Sequence, residues 1–355
     1  MKLIIVTDAW HPQVNGVVRS LTATAEILRK FGHQVEVIEP GLFRTTACPT
    51  YPEIRLALGC AAKVREILDG SDPDAIHIAT EGPIGWAARG WCLKRGRLFT
   101  TSFHTRFPDY VAIRTGLPAD WIWPVMRRFH RPAERTFAVT RALADELESR
   151  GIGPVHHWPL GVDLHQFNPA IAPHPALRNL PRPILLNVGR VAIEKNTEAF
   201  LNCPVPGSKI VVGDGPALDA LQSRFPEALF MGARHGSELA SIYRASDVFA
   251  FPSLTDTFGL VNIEALACGL PVAAYPARGP IDILGPDGRG VHGGKRRIGG
   301  IDNYLAAAIQ RALTADRVAC ASEARHYSWD QCTERFLEGL ATDAPLLVER
   351  RAKAA

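Results

Sequence analysis

The sequence predicts an α/β protein built from two doubly wound domains in series. Short apolar runs rich in Ile and Val alternate with amphipathic, helix-like stretches, which is the rhythm of repeated βαβ units. The apolar runs lack strict alternation, as expected for strands that are buried on both faces of a parallel sheet. A length of 355 residues suits two domains, because a single hydrophobic core rarely serves more than about 250–300 residues.

The predicted elements fall into two groups separated by a proline-rich stretch. The first group has strands at 3–8, 34–39, 75–80, 98–103 and 137–140, with helices at 16–31 and 83–95. Residues 169–183 have no helical period and are interpreted as a linker. The second group has strands at 184–190, 209–213, 229–232, 247–252 and 271–275, with helices at 216–224, 237–244 and 260–268. The predicted domains are 1–170 and 171–328, and a helix at 329–341 is expected to pack back toward the N-terminal domain.

The composition narrows the class of protein. Hydrophobic residues make up 46% and charged residues 21% of the chain, which is the balance of a globular protein. No apolar run approaches the roughly 18 residues of a membrane span, and the chain begins directly with a strand, so we expect a cytoplasmic protein. The seven cysteines include no Cys-x-x-Cys pair, which argues against a zinc site or a disulfide framework. The net charge of +4 permits an anionic ligand or membrane, whereas no nucleic-acid-binding motif is present.

Two glycine motifs follow predicted strands, where ligands bind in doubly wound sheets. Asn15-Gly16 precedes a helix whose N-terminus could receive a phosphate, although an ordinary strand-to-helix turn explains it as well. The segment Gly213-Asp214-Gly215 is only half of a dinucleotide-binding fingerprint, because position 218 is Leu. A tight βα turn is at least as good an interpretation of this second motif.

A pair of cations follows the strand at 184–190. Gly189-Arg190 and Lys195 would bring a forked guanidinium and a compact ammonium to one strand end, where they could bind a diphosphate in place of a metal ion. Ion pairs on the protein surface are the alternative explanation of these two cations.

The segment Asp72-Pro73-Asp74 resembles a metal-binding carboxylate pair, but it precedes a strand and is interpreted as a turn. The sequence therefore predicts no metal site and no cofactor.

The segment 251–272 carries the most specific pattern. A strand ends near Pro252, Asp256 lies in the following loop, and a helix begins near Gly259 and carries Glu264 one turn later. Carboxylates accept hydrogen bonds from sugar hydroxyls, and a helix N-terminus binds phosphate. The pattern thus predicts a nucleotide-sugar site, against the alternative of a solvated helix with two unrelated acids.

This segment resembles the signature of glycosyltransferase family 4, in which two acids are separated by seven residues. The resemblance extends along nearly the whole chain and includes Asn15-Gly16, Phe103-His104-Thr105 and Gly161-Val162-Asp163. It implies the GT-B fold, in which two Rossmann-like doubly wound domains face each other across a cleft. The first acid here is Asp256, whereas the family usually has Glu, and the shorter side chain leaves the donor sugar open.

The resemblance also implies residue roles. Gly16, Arg190 and Lys195 would contact the donor diphosphate, Glu264 the ribose and Asp256 the donor sugar, while His104 would face the transferred sugar. The catalytic set is then His104, Arg190, Lys195 and Asp256. The remaining donor-binding positions are Asn15, Gly189, Gly213, Asp214, Gly215, Met231, Phe258, Gly259, Leu260 and Val261.

The resemblance favours a retaining, metal-independent transferase that moves a hexose or hexuronic acid from UDP-glucose or UDP-glucuronic acid to a membrane lipid such as diacylglycerol. A GDP-mannose-dependent α-mannosyltransferase acting on a lipid or glycan is the alternative within enzymes. A catalytically inactive nucleotide-binding protein is the alternative from another class, although the presence of His104, Arg190, Lys195 and Glu264 argues against it.

A basic helix is predicted within 120–135, with Asp120 as its cap. Ile122, Val125, Met126 and Phe129 follow a helical spacing, and arginines are interleaved with them. Such a helix suits peripheral docking on the anionic inner face of the cell membrane, and equally suits a core-facing helix with a solvated cationic side. The arginines assigned to membrane or acceptor contact are Arg127, Arg128 and Arg131.

Overall fold

The chain divides into two compact units, which a computed structural model describes at residues 1–13, 15–48, 51–104, 107–108, 116, 118–254 and 256–342, with backbone alone at 51–54. The first unit is Met1–Pro159 together with the chain from Cys332 onward. The second unit is Leu160–Gln331. In the described residues, each unit contains one six-stranded sheet whose strand pairs are all parallel. The α/β fold class predicted from the sequence is therefore confirmed.

The first sheet has the strand order β2-β1-β5-β6-β7-β8. Its strands are β1 (Lys2–Val6), β2 (Gln34–Ile38), β5 (Ala75–Ile78), β6 (Thr100–Phe103), β7 (Arg135–Ala138) and β8 (Val155–His157). A separate antiparallel pair is formed by β3 (Thr45–Cys48) and β4 (Tyr51–Ala57). The helices described in this unit are α1 (Gly16–Lys30), α2 (Ala61–Ser71), α3 (Pro83–Arg95), α4 (Trp123–His130) and α5 (Arg141–Ser149).

Burial explains why the apolar runs of the first unit become central strands. All residues from Leu3 to Val6 in β1 are fully buried, so both faces of the strand are covered. In α1, Val18, Leu21, Ala25 and Leu28 are buried at helical spacing, which turns one stripe of the helix toward the sheet.

The last described helix, α13 (Trp329–Gly339), contributes to the core of the first unit. Phe336, and Leu340 just beyond the helix, belong to the same buried cluster as Leu3 and Trp158. The indole N–H of Trp158 donates to the carbonyl oxygen of Cys332 at 3.1 Å. The end of the described chain is thus part of this hydrophobic core.

The second sheet has the strand order β11-β10-β9-β12-β13-β14. Its strands are β9 (Ile184–Val188), β10 (Ser208–Val212), β11 (Leu229–Phe230), β12 (Val248–Phe251), β13 (Val272–Ala274) and β14 (Gly299–Ile301). The helices before α13 are α6 (Thr197–Leu201), α7 (Leu218–Arg224), α8 (Gly236–Ala245), α9 (Leu260–Ala267), α10 (Arg278–Leu284), α11 (Leu305–Leu313) and α12 (Arg317–Ala324).

In both sheets the parallel strands end at one edge, and the segments after them carry the predicted motifs. In the second unit these segments follow β9, β10, β11 and β12. In the first unit they follow β1, β5 and β6. This edge is where doubly wound sheets place their ligands.

Candidate active site

In the second unit, the loops after β9 and β10 are joined by backbone hydrogen bonds that continue the sheet beyond its strands. The amide of Gly189 donates to the carbonyl oxygen of Val212 at 3.0 Å, and that of Val191 donates to Asp214 at 2.9 Å. The loop that carries Arg190 is therefore fixed by its neighbour.

Close contact between these loops explains the Gly213-Asp214-Gly215 segment. A β-carbon on Gly213 would lie 1.8 Å from the carbonyl oxygen of Gly189, and one on Gly215 would lie 2.4 Å from that of Val191. Both glycines also have φ angles, +147° and +155°, that L side chains rarely adopt. The glycines are thus required for loop packing, whether or not a phosphate approaches them.

Lys195 and Asp256 form an ion pair between the segments after β9 and β12. Lys195 ends a 3₁₀ turn, and the next residue, Asn196, has the left-handed conformation with φ 56°. The side-chain amide of Asn196 donates to the carbonyl oxygen of Pro252 at 3.2 Å, which ties the two segments together. The ammonium of Lys195 then lies 2.5 Å from Oδ1 of Asp256. The sequence predicted both residues for the site, and the structure brings them into contact.

Three buried side-chain oxygen atoms of the segment that carries Asp256 have no hydrogen-bond partner among the described residues. They are Oδ2 of Asp256, Oγ of Ser253 and Oδ1 of Asn262. Buried polar atoms are nearly always paired in folded proteins, so three unpaired ones in one short segment make it a candidate for binding a polar ligand or ordered water.

The helix α9 begins beside these atoms without a side-chain cap. Its N-cap residue Gly259 has φ +81°, and a β-carbon there would lie 2.6 Å from Nδ2 of Asn262. Among the described residues, the N–H groups of Leu260 and Val261 have no acceptor, as is usual for a first helical turn. Open amides and the positive end of the helix dipole form a suitable site for a phosphate.

Glu264 lies one turn inside α9 and is 2% exposed. Its carboxylate accepts a hydrogen bond from the hydroxyl of Tyr243 at 3.3 Å. Phe258 is also buried, so its side chain packs in the core, where its ring lies 6.1 Å from that of Tyr327. Sequence reasoning missed Tyr243, because nothing in helix α8 marks it as a partner of Glu264.

The remaining predicted donor residues of the second unit lie at the same sheet edge. Arg190 is exposed, and no described residue forms an ion pair with its guanidinium. Asp214 is exposed as well, and its carboxylate accepts from the amide of Gly215 at 2.7 Å. Met231 is partly buried, and its amide donates to the carbonyl oxygen of Val211 at 3.0 Å.

In the first unit, Asn15 and Gly16 start helix α1. The side-chain oxygen of Asn15 accepts from the amide of Val18 at 3.0 Å, which is an N-cap, and its Nδ2 donates to Gln13 at 3.2 Å. Gly16 is exposed at the first helical position. Val14, the residue before this motif, lies outside the described residues.

His104 follows β6 and packs its ring edge-on against Trp158, with 5.6 Å between ring centroids. Its Nε2 is buried and has no partner among the described residues. Burial lowers the pKa of His104 to about 4, so the ring is neutral at physiological pH. Thr105, which completes the predicted segment, lies outside the described residues.

The predicted basic helix is α4, and only part of its apolar face is free. Met126 and Phe129 are buried in the core, whereas Val125 is 47% exposed. The arginines assigned to membrane or acceptor contact, Arg127, Arg128 and Arg131, are exposed. The prediction that Asp120 caps this helix was wrong, because the helix begins at Trp123 without a side-chain cap and Asp120 pairs with Arg150 at 3.3 Å.

The described residues contain one group of side chains with metal-ligand chemistry, and none of its members belongs to a predicted motif. Ligand atoms of His292, Glu323 and His326 all lie within 4.8 Å of one another. Oε1 of Glu323 already accepts from the amide of Val291 at 2.9 Å and contacts Nδ1 of His292 at 2.8 Å. These bonds fasten the loop before β14 to helix α12.

Comparison with known proteins connects this geometry to a family. Residues 14–166 match the family model Glycosyltransferase Family 4, and residues 182–314 match the model Glycosyl transferases group 1. A GDP-mannose-dependent alpha-mannosyltransferase from Mycobacterium tuberculosis is 35% identical, with 82% of this chain and 83% of that protein covered. A sulfoquinovosyl transferase from Arabidopsis thaliana is 29% identical (82% and 61% covered), and an alpha-monoglucosyldiacylglycerol synthase from Streptococcus pneumoniae is 27% identical (78% and 71% covered).

Solved structures share the fold at lower sequence identity. A sucrose-phosphate synthase from Thermosynechococcus elongatus matches with a TM-score of 0.71 and 20% identity, covering 95% of this chain and 97% of that one. HepE from Anabaena, in complex with UDP and glucose, matches with a TM-score of 0.66 and 17% identity, covering 95% and 98%. The chain therefore is a glycosyltransferase with the GT-B fold and belongs to glycosyltransferase family 4.

Proposed function

We propose that this enzyme transfers a hexose or a hexuronic acid from a nucleoside diphosphate sugar to a hydroxyl group of a membrane lipid. The observation that carries the donor half is the arrangement around Asp256. One of its oxygens is held by Lys195, and the other is buried without a described partner beside the uncapped start of α9. A sugar hydroxyl supplies the missing donor to Asp256, and the diphosphate accepts hydrogen bonds from the helix amides.

The proposed chemistry is a retaining transfer without a protein nucleophile or a metal ion. The bond between the anomeric carbon and the phosphate oxygen breaks, and the acceptor oxygen attacks from the same face. The departing phosphate takes the acceptor's proton. Arg190, Lys195 and the α9 amides stabilise the negative charge on the diphosphate. The role of His104 toward the transferred sugar is carried over from the family resemblance, and burial keeps its ring neutral.

UDP-glucose or UDP-glucuronic acid is the favoured donor, and diacylglycerol is the favoured acceptor. This choice is supported by the resemblance of Asp256-Thr257-Phe258-Gly259 to lipid glycosyltransferases and by the similarity to an alpha-monoglucosyldiacylglycerol synthase. GDP-mannose is the second candidate donor, because the mycobacterial alpha-mannosyltransferase is 35% identical to this chain.

Thermal unfolding with UDP, GDP, ADP and NAD, each with and without EDTA, separates these donors. A ligand at about 100 times its Kd stabilises the folded protein by roughly 2.7 kcal/mol. Stabilisation by UDP alone, unchanged by EDTA, supports the favoured donor, and stabilisation by GDP alone supports GDP-mannose. Stabilisation by NAD alone, or a requirement for a divalent metal ion, would refute the proposal. The donor selected in this way is then assayed for transfer to dioleoylglycerol in vesicles.

The proposed membrane contact is made by the exposed side of α4 and the turn before it, as a peripheral protein on the cytoplasmic face of the membrane. Trp121 is 67% exposed next to the exposed Val125, and Arg127, Arg128 and Arg131 are exposed nearby. An aromatic ring and arginines together suit the interface of an anionic bilayer. Among the described helices, none has both the length and the apolar character needed to cross a bilayer.

Sedimentation with vesicles tests this contact. We expect binding to phosphatidylglycerol vesicles that weakens with salt, because each basic residue near such a surface contributes about 1 kcal/mol. Removing the three arginines together should abolish sedimentation. A control with the same change in charge replaces exposed basic residues of α1, α2 and α3 by alanine and should sediment like the parent: Lys30, Arg65 and Lys94. Equal sedimentation of both triple variants would refute the assignment to α4.

A further inference from the structure

Three polar residues follow adjacent strands at the carboxyl edge of the first sheet. β1 pairs with β5, and β5 pairs with β6, all in parallel. Asp8 follows β1, Glu81 follows β5 and His104 follows β6. Because parallel strands end at one edge, these side chains belong to one region of the unit, and they differ in how much of their hydrogen-bonding capacity the protein already uses.

The carboxylate of Asp8 accepts three hydrogen bonds within the fold. It accepts from the amides of Ile84 at 2.9 Å and Gly85 at 3.2 Å, and from the hydroxyl of Thr80 at 3.0 Å. It therefore caps helix α3, whose own N-cap residue is a glycine. Burial raises the pKa of Asp8, and the nearby charge of Glu81 adds to this rise. Both oxygens of Asp8 are thus engaged in capping α3 and in bonding Thr80, so its location after β1 is explained without a ligand.

The carboxylate of Glu81 has only part of its hydrogen-bonding capacity satisfied by described residues. Its Oε1 lies 3.2 Å from Nε2 of His130, and among the described residues its other oxygen has no hydrogen-bond partner. The carboxylate side chain is 15% exposed, whereas the ring of His130 is completely buried. One oxygen is thus held from the interior, and no described residue holds the other.

A chain of buried hydrogen bonds fixes the orientation of His130. Its Nδ1 lies 2.9 Å from Oγ1 of Thr101, which lies 3.1 Å from Oγ1 of Thr136. With the ring proton on Nε2, His130 donates to Glu81 and accepts from Thr101, so every bond in the chain has a donor. These hydrogen bonds to His130 hold the Glu81 carboxylate in one orientation, so that the carboxylate is preorganised for binding a ligand.

The charge of Glu81 determines which ligand suits it. No described cation pairs with this carboxylate apart from the contact with His130, and a second carboxylate, Asp8, is close enough for its pKa to respond. Two acids repel a diphosphate, whereas a carboxylate oxygen is a strong acceptor for a hydroxyl group. Glu81 therefore suits the hydroxyl-bearing acceptor and not the donor diphosphate.

We propose that Glu81 binds a hydroxyl group of the acceptor at the edge of the first sheet, and that His130 is the positioning residue that holds it there. This assignment rests on the proposed function, because it takes the acceptor to be an alcohol. It adds a contact for the acceptor that is separate from the donor residues of the second unit.

The experiment compares Glu81→Ala and Glu81→Gln with the parent enzyme, using the nucleotide sugar that the parent accepts and dioleoylglycerol in phosphatidylglycerol vesicles. We expect Glu81→Ala to lower kcat/KM for the lipid by 10- to 100-fold, as for loss of a hydrogen bond to a charged group. The KM of the donor and the slow hydrolysis of the donor by water should stay within 2-fold. Glu81→Gln, which keeps the size and one acceptor oxygen, should lie between the two.

His130 is tested through Glu81. His130→Gln can still donate and accept, so it should retain more lipid transfer than His130→Ala. In the Glu81→Ala background the His130 change should have no further effect on lipid transfer, because the group that it positions is gone. The matched control is Glu146→Gln, since the Glu146 side chain is 10% exposed and paired with Arg150, and it should transfer like the parent.

The outcomes separate this proposal from the proposed function. Unchanged lipid kinetics in both Glu81 variants would overturn the role of Glu81 and leave the transferase intact. The proposal would also be overturned if the donor KM rose and the rate of donor hydrolysis fell as much as lipid transfer does. Such changes would place Glu81 on the donor side. Failure of the parent to glycosylate any alcohol would overturn the proposed acceptor class, and the Glu81 assignment with it.

Discussion

Replacing Gly213 by alanine tests whether the glycines after β10 serve the packing of neighbouring loops. A β-carbon at Gly213 would lie 1.8 Å from the carbonyl oxygen of Gly189, whereas ordinary contact begins at 3.4 Å. The loops must separate by about 1.6 Å, the difference between these two distances. The alanine must also adopt a φ angle near +147°.

The expected cost follows from the bonds that this separation breaks. The hydrogen bonds from Gly189 to Val212 and from Val191 to Asp214 lie across the gap, and each contributes about 0.5–1.5 kcal/mol. Backbone strain adds about 1–3 kcal/mol. The free energy of unfolding should fall by roughly 2–6 kcal/mol, which lowers the Tm of a unit of this size by roughly 4–24 °C. The KM of the donor should rise at least about 10-fold, because Arg190 lies in the displaced loop.

Calorimetry and nucleotide titration measure both effects. The matched control is Gly189→Ala, because Gly189 has φ +148° but a β-carbon there would have no heavy atom within 4 Å. This control carries the strain without the collision, so its Tm should fall by less. A Gly213→Ala protein with the Tm and nucleotide affinity of the parent would contradict the packing argument.

Three further variants test the site and its electrostatics. Arg190→Ala should lower kcat by about 100-fold or more. The control Arg178→Ala, which removes another exposed arginine of the second unit, should leave kcat unchanged. Equal activity of Arg190→Ala and the parent would refute the role of Arg190 in stabilising the leaving group. Asp256→Ala should raise the KM of the sugar nucleotide by about 10-fold with little change in the Kd of UDP or GDP, and a parallel loss of nucleotide affinity would exclude a sugar contact. Because burial lowers the pKa of His104 from 6.5 to about 4, the unfolded state binds more protons between these values, and stability falls as the pH falls through that window. As the pH falls through this window, the free energy of unfolding of His104→Gln, measured in urea, should decrease by up to about 1.4 kcal/mol per pH unit less than that of the parent. Identical pH profiles of the two proteins would show that His104 does not contribute.

The central strands could be predicted because their residues are apolar on both faces. The predicted strands at 184–190, 209–213 and 247–252 appear as β9, β10 and β12, with ends that differ from the prediction by one or two residues. β14 was missed because its sequence, Gly299-Gly300-Ile301, has little strand propensity. Its glycines serve packing instead, since a β-carbon on Gly300 would lie 2.0 Å from the carbonyl oxygen of Ala308. The hairpin of β3 and β4 was missed because Pro52 interrupts its second strand.

The site could be predicted where its residues follow a strand in a recognisable frame. Lys195 and Asp256 were predicted from separate segments, and their contact depends on the left-handed turn at Asn196, which the sequence alone does not specify. Glu81 and His130 were missed because they are 49 positions apart and neither belongs to a motif. Only the folded sheet brings such pairs together. The roles assigned to individual donor residues remain predictions.

The continuation of the second sheet into its loops has a consequence for the thermodynamics of binding. Because the loops after β9 and β10 are ordered by backbone bonds, a donor need not order them, and little conformational entropy is lost on that side. The amides of Gly189 and Val191 should resist hydrogen–deuterium exchange even without nucleotide. The open amides of Leu260 and Val261 should exchange rapidly until a diphosphate occupies the start of α9. Differences in affinity between donors would then arise from direct contacts and not from folding of the site.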